Sequence, residues 1–147
     1  MGTNPTGGSS QDPVELRPLC RATYELGATA TVSNGPLGTR LVSEIAAARF
    51  EGERFRASLV GSVAADWATI EPDGRICIDV RLTLQTDDGA VVLVTYQGRG
   101  DAATGTSYSA PLFETGDERY AWLTRIQAVG KSTFDGVELH FEMFELV

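Results

Sequence analysis

The chain has 147 residues, 42% of them hydrophobic and 22% charged, and a formal net charge of −8, which fits one soluble globular domain of ordinary size. Its 12 basic residues are scattered along the sequence, so a nucleic acid or an anionic membrane is disfavoured as a partner. The partners that we expect are an apolar or aromatic small molecule and a second copy of the chain, as a homodimer.

Residues 1–13 are rich in Gly, Ser, Thr and Pro, which predicts a disordered tail before a single domain over residues 14–147. In residues 16–31 apolar side chains recur at every second or third position, as in a first strand, and a turn follows at residues 33–36. Three successive alanines in residues 43–50 favour a helix, but eight residues without a strong cap make a marginal one. We therefore predict a strand there.

Residues 55–63 alternate between apolar and polar side chains, and residues 68–70 predict a further short strand. The turn sequences 71–74 (EPDG) and 87–89 (DDG) enclose a long strand over residues 75–85. Its alternation places two sets of side chains on opposite faces. The apolar set is Ile76, Ile78, Val80, Leu82 and Leu84, and the other set includes Asp79, Arg81 and Thr83.

Beyond that strand, residues 90–97 predict its partner, and residues 98–111 predict a long polar connection. One helical turn is expected after Thr115, because Thr115 and Glu118 fit a capping box. The chain is then predicted to be extended over residues 123–129, and a last strand covers residues 137–147.

Short strands joined by turns, with almost no helix, indicate an all-β fold with a single antiparallel β-barrel of about eight to ten strands and at most one or two short helical turns. Closure removes exposed edges, and near eight strands it leaves room inside for one small ligand. A β-sandwich is the alternative.

The two cysteines, Cys20 and Cys77, lie far apart in no metal-like spacing. We interpret them as reduced thiols of a cytoplasmic protein, with one disulfide as the alternative. A zinc site would need carboxylates for most of its ligands, because His140 is the single histidine. The GxGxxA pattern at residues 98–103 is not followed by a helix that could hold a pyrophosphate. We therefore expect neither a metal nor another cofactor.

The densest cluster of aromatic and ionisable side chains is residues 113–123, a combination typical of a small-molecule site. Asp79 and Arg81 lie two apart on one strand face and can flank a common ligand. If that face lines the barrel, Asp66 or Asp79 is a desolvated carboxylate suited to proton abstraction. Arg81 then stabilises an oxyanion, and Tyr120 donates a proton. The alternative has the apolar face inside and leaves Asp79 and Arg81 as an exposed ion pair.

Further ligand contacts are expected from aromatic and hydroxyl side chains: Trp67, Thr83, Tyr96, Trp122 and Thr124. The function that we predict is a cofactor-independent enzyme that uses acid/base chemistry, as an isomerase, a cyclase or a hydratase/lyase, on an apolar, aromatic or polyketide-like molecule. A carrier that binds such a molecule without turnover is the alternative, and a subunit whose apolar face serves association is a third hypothesis. His140 is a less favoured general base, because it alternates with Glu138 and Glu142 on a polar face.

Several motifs, in order along almost the whole domain, resemble the domain-of-unknown-function 3237 family. They are residues 34–40 (NGPLGTR), 50–52 (FEG), 65–67 (ADW), 79–90 (DVRLTLQTDDGA), 113–123 (FETGDERYAWL) and 128–130 (AVG). The resemblance implies a barrel of lipocalin-like appearance and a small-molecule role in catabolism or natural-product biosynthesis. The family's usual pattern has a Tyr in place of Leu82, an Asn in place of Thr124, and a Gly-Gly pair in place of Val63-Ala64. These departures imply a more apolar pocket.

Overall fold

Apolar and polar side chains alternate along most of the chain, and ten antiparallel strands follow this pattern in the computed structural model, which describes residues 11–147. The first ten residues of the predicted tail lie outside the described residues. In chain order the strands are β1 (Leu16–Gly35), β2 (Gly38–Glu51), β3 (Arg56–Leu59), β4 (Ala65–Ile70), β5 (Arg75–Thr86), β6 (Val91–Asp101), β7 (Thr106–Ser109), β8 (Leu112–Glu114), β9 (Ala128–Phe134) and β10 (Glu138–Leu146). A 3-10 helix, Glu118–Arg125, lies between β8 and β9.

The strands form one ring in the order β5, β4, β2, β1, β10, β9, β7, β6, and pairing of β6 with β5 closes it. The short strand β3 pairs with both β2 and β5, and β8 pairs with β6. The prediction of a single antiparallel barrel is therefore confirmed, and the sandwich alternative is wrong. None of the described residues forms a helix long and apolar enough to cross a membrane.

Local sequence explains the two longest strands and the turn between them. Asn34 has a φ of 53° and Gly38 a φ of 97°, and Asn and Gly are the residues that adopt such values at little cost. The turn itself lies at residues 36 and 37, slightly later than predicted. The alanines of residues 43–50 belong to β2, as predicted, because β1 and β4 supply partners on both sides.

Two segments differ from the sequence-based predictions. The prediction of a polar connection over residues 98–111 is wrong, because β6 continues to Asp101 and β7 follows. The inward positions at the end of β6 and in β7 are Gly and Ser rather than apolar residues, so their alternation carries no hydrophobic signal. The prediction of an extended chain from residue 123 is also wrong up to Arg125, where the 3-10 helix ends.

One half of the barrel interior is filled by a packed aromatic and aliphatic core. Phe55 lies at its centre, with ring centroids 6.1 Å from Phe50, 5.8 Å from Phe113 and 6.2 Å from Tyr120 in edge-to-face arrangements. Leu123 of the 3-10 helix is fully buried in the same cluster. We call this half, which the 3-10 helix covers, the closed end of the barrel.

Arg54 connects the 3-10 helix with β10. Its guanidinium lies 4.4 Å from the ring centroid of Trp122 and forms an ion pair with the carboxylate of Glu145, whose side chain is 7% exposed. Arg17 approaches the same carboxylate at 3.4 Å. These contacts stabilise the closed end by satisfying a buried charge.

Replacing Arg54 with methionine should lower the free energy of unfolding by about 1 kcal/mol, because Glu145 keeps a buried charge with only the longer contact to Arg17. Urea denaturation measures the loss. Arg21→Met is the matched control, since the ion pair of Arg21 with Glu142 is exposed and 3.9 Å long. Equal losses in both variants would contradict this role for Arg54.

Candidate functional site

The half of the barrel opposite the closed end encloses a cavity of about 350 Å³. Most of its wall is apolar, and the apolar lining residues include Leu26, Leu41, Ile76, Ile78, Leu139 and Phe141. The turn after β6, with Asp101, Ala102 and Gly105, contributes to the rim. A cavity of this size and polarity suits one small ligand.

Asp66 supplies the carboxyl group in the cavity wall. It pairs in register with Val80, whose side chain is buried inside the barrel, and register partners point to the same face of a sheet. The carboxylate Oδ1 accepts a hydrogen bond from the backbone N–H of Asp79 at 3.0 Å.

Burial raises the pKa of Asp66 from 3.8 to about 6, although the hydrogen bond from the Asp79 N–H lowers it and the charge of Asp79 raises it slightly. A carboxyl group with this pKa is present in both protonation states near neutral pH. It can therefore accept a proton from one atom of a ligand and return it to another.

Tyr96 lies on the same inner face of the sheet as Asp66, with Val80 of β5 between them, because Val80 pairs with both residues. The Tyr96 hydroxyl donates a hydrogen bond to the Tyr24 hydroxyl at 3.2 Å, and both rings contact Phe141. Burial raises the pKa of both tyrosines well above the usual value, and the charge of Asp66 adds to the effect. They remain neutral, and the Tyr24 proton is left for a ligand oxygen.

A third polar feature of the cavity is a group of small side chains on β7 and β9. We call Ser107, Ser109 and Ser132 the serine wall, and all three line the cavity. Ser109 is 91% buried, and its Oγ has no hydrogen-bond partner among the described residues. Such an unpartnered buried hydroxyl is rare in folded proteins and calls for an explanation.

The face of β5 that carries Asp79, Arg81 and Thr83 lies outside the barrel. The apolar face of the strand is inside, since this arrangement removes the larger hydrocarbon surface from water. Asp79 and Arg81 form no ion pair with each other in the described part of the chain. Trp67 follows Asp66 on β4, so it also faces outward, and it is 38% exposed.

The structure places Tyr120, Trp122 and Thr124 at the closed end, away from the cavity. The Tyr120 hydroxyl donates to Asp88 Oδ1 at 2.8 Å, and the Thr124 hydroxyl donates to the carbonyl of Ala121 at 2.7 Å. These residues belong to the 3-10 helix, which packs on the core. Of the residues predicted for the site, Asp66 and Tyr96 are thus brought together at the cavity.

Tyr24 and the serine wall were not among the predicted site residues. A sequence signal for the wall exists, because Gly98 and Gly100, then Ser107 and Ser109, recur at a spacing of two, as do Gly130 and Ser132. This is the two-residue periodicity of a strand, with small residues at the inward positions instead of apolar ones. Tyr24 carries no comparable signal, since it alternates like any core residue.

A group able to hold a metal lies elsewhere on the described surface. Ligand atoms of Asp135, Glu138 and His140 lie within 4.8 Å of one another. The Asp135 carboxylate already accepts hydrogen bonds from the N–H groups of Val137 and Glu138 and contacts His140 Nε2 at 2.9 Å. These bonds lower the pKa of Asp135 to about 2. The negative charge of Asp135 therefore stabilises the turn by accepting hydrogen bonds from its backbone.

Comparison with known proteins gives relatives over nearly the whole chain. A hydroalkoxylation enzyme of Penicillium herquei, phnH, is 28% identical over 123 residues, which is 84% of this chain and 77% of that protein. A crystal structure of an enzyme from the same organism is 26% identical, with a TM-score of 0.76 over 95% of this chain and 99% of the other.

Two bacterial structures share the fold. A β-barrel like protein from Acinetobacter baumannii has a TM-score of 0.82 at 24% identity, over 95% of this chain and 99% of its own. A conserved protein of unknown function from Rhodopseudomonas palustris has a TM-score of 0.84 at 23% identity, over 93% and 100%. The model of the family described as protein of unknown function (DUF3237) matches residues 14–146. The chain therefore belongs to the DUF3237 family.

Proposed function

We propose that the protein is a cofactor-independent enzyme that adds a hydroxyl group across a carbon–carbon double bond of an apolar small molecule, with Asp66 as the group that moves the proton. The observation that carries this proposal is the carboxyl group of Asp66 in a mostly apolar cavity, with a pKa raised to about 6. Enzymes tune carboxyl groups toward neutral pH in this way for acid/base work.

The reaction class is supported by the hydroalkoxylation enzyme among the relatives, because hydroalkoxylation is the addition of an alcohol O–H across a carbon–carbon multiple bond. In this addition the O–H bond and the π bond break, and a C–O and a C–H bond form. The oxygen loses a proton and a carbon gains one, so a single carboxyl group can accept the first and supply the second. Asp66 ends the cycle in the state in which it began.

The tyrosine pair has a different role in this proposal. Tyr24 and Tyr96 stay protonated because burial raises the pKa of both. Tyr24 therefore binds a ligand oxygen as a neutral donor while Tyr96 donates to Tyr24, and neither tyrosine competes with Asp66 as a base. The apolar side chains around them exclude water, which favours capture of the reacting carbon by the substrate's own hydroxyl group.

Conversion of 2-allylphenol to its cyclic ether, followed by chromatography, tests this proposal. We expect the wild-type protein to accelerate ring closure and Asp66→Asn to lose at least about 100-fold of that acceleration, because an amide cannot shuttle a proton. Asn keeps an oxygen that can accept the Asp79 N–H, so its binding of 2-allylphenol should be unchanged. Asp79→Asn, on the outer face, is the matched control.

Equal acceleration by the wild type and Asp66→Asn would contradict the proton-transfer role. A wild-type protein that binds 2-allylphenol and related alkenols but accelerates no addition is instead the carrier of the alternative hypothesis. The apolar cavity supports binding in both cases, so the comparison of binding with turnover separates the two functions.

A further inference from the structure

The serine wall lies among glycines on adjacent strands. Ser109 pairs with Gly98 on one side and with Gly130 on the other, and Ser107 pairs with Gly100 and Ser132. Because the glycines have no side chains, the serine hydroxyl groups are the polar side-chain groups in this part of the cavity. A patch of small residues does not by itself indicate a binding site, but Ser109 also buries a hydroxyl group that has no partner among the described residues.

Close strand packing explains Gly98 but not Ser109. A Cβ atom at Gly98 would lie 2.1 Å from the carbonyl oxygen of Tyr108, so the approach of β7 to β6 requires glycine there. Alanine at position 109 would fill the same space without burying an unpaired hydroxyl group, which is unfavourable. A ligand oxygen that forms a hydrogen bond with the Ser109 hydroxyl would offset the free-energy cost of burying it.

The charges around the cavity restrict what that ligand can be. Among the described lining residues none is Lys, Arg or His, and the ionisable acids are Asp66 and, at the rim, Asp101. A buried carboxylate or phosphate on the ligand would lack a counter-charge and would be repelled by ionised Asp66. The site therefore suits an uncharged molecule.

We propose that the serine wall is an oxygen-recognition subsite, in which Ser109 binds a hydroxyl or carbonyl oxygen of an uncharged, otherwise apolar ligand whose other end faces Asp66. In the ring of strands, β4 with Asp66 and β9 with Ser132 lie on opposite sides. The ligand thus carries oxygen at two separated positions, with hydrocarbon between them against Ile78 and Phe141. This inference rests on the proposed function for the assignment of the reacting end to Asp66.

Binding of 1-naphthol, naphthalene and 1-naphthoate to the full chain at pH 7, measured by ligand-observed NMR and calorimetry, tests the subsite. The wild type should bind 1-naphthol about tenfold more tightly than naphthalene, the ratio that one hydrogen bond supplies. Ser109→Ala should remove this preference, and 1-naphthoate should bind most weakly. The unliganded Ser109→Ala protein should melt at the same or a higher temperature, because an unsatisfied hydroxyl is gone.

Ser62→Ala, in an exposed loop, is the control and should retain the preference for 1-naphthol. The subsite is ruled out if Ser109→Ala keeps the preference, if 1-naphthoate binds as tightly as 1-naphthol, or if the wild type binds neither aromatic alcohol nor hydrocarbon. A lower melting temperature for unliganded Ser109→Ala would equally contradict it, because it would reveal an internal partner.

The naphthol series does not involve turnover, so it separates this inference from the proposed function. If Ser109→Ala abolishes the naphthol preference while Asp66→Asn retains full activity on 2-allylphenol, the subsite stands and the proton-transfer role fails. If Asp66→Asn is inactive while Ser109→Ala keeps the preference, the opposite conclusion holds.

Discussion

Replacing Asp66 with asparagine should stabilise the protein at pH 8 by about 2 kcal/mol and leave its stability unchanged near pH 3.5. The reason is that burial raises the pKa of the folded-state carboxyl to about 6, against 3.8 in the ordinary environment. Each unit of difference corresponds to roughly 1.4 kcal/mol, and partial contact with solvent reduces the total. Asparagine is never charged and so escapes this penalty.

The pH dependence follows from which state holds the proton. Below about pH 3.8 Asp66 is protonated in both the folded and the unfolded state, so it does not lower the free energy of unfolding. Between about pH 3.8 and 6 the unfolded chain releases its proton while the folded protein keeps it, so the wild-type free energy of unfolding falls relative to that of Asp66→Asn. Above about pH 6 the carboxylate is ionised in both states, and the difference is complete.

Urea denaturation of both proteins from pH 3.5 to pH 8 measures the difference, in which the titration of other groups cancels. Asp79→Asn is the matched control: it removes a carboxylate from the outer face, and burial is the larger cause of the Asp66 shift. It should leave most of the pH dependence in place. An Asp66→Asn protein that is no more stable than the wild type at pH 8 would show that the carboxyl is not desolvated.

Replacing Gly98 with alanine should lower the free energy of unfolding by about 3 kcal/mol or more, because the added methyl group has no space. The added Cβ would lie 2.1 Å from the backbone oxygen of Tyr108. A backbone atom cannot move aside as a side chain can, so β7 must separate from β6. Thermal denaturation should show a melting temperature lower by roughly 10 °C.

Gly116→Ala provides the control for the loss of chain flexibility, because no heavy atom lies within 4 Å of a Cβ at Gly116 and its φ is not in the left-handed region. It should be neutral or slightly stabilising. If Gly98→Ala behaves in the same way, the close approach of the two strands does not limit the fold.

The strands whose apolar residues alternate could be predicted from the sequence, and the strands built from small residues could not. The interval 75–85 has five aliphatic residues on one face, so both its extent and its faces were readable. In residues 98–109 the same spacing is carried by Gly and Ser, which contribute almost no hydrophobic energy. In this segment β6 and β7 are held together through backbone hydrogen bonds and close packing instead.

The candidate site was harder to predict because charge density in a sequence does not reveal which face of a strand is buried. The cluster at residues 113–123 contains Asp117, whose carboxylate accepts from the Arg119 backbone and side chain and thereby caps the 3-10 helix. Its charges therefore serve local structure. Asp66 differs because its register partner Val80 points inward, a fact that depends on pairing between strands.

The division of β5 between the cavity and the packed core has an evolutionary consequence. Ile76 and Ile78 line the cavity, whereas Leu82 and Leu84, further along the same strand, are fully buried in the core of the closed end. Substitutions in the first pair alter the space for a ligand, and the second pair preserves the barrel. We expect members of the family to diversify their ligands by changing side chains in one half of the barrel while the other half keeps the fold stable.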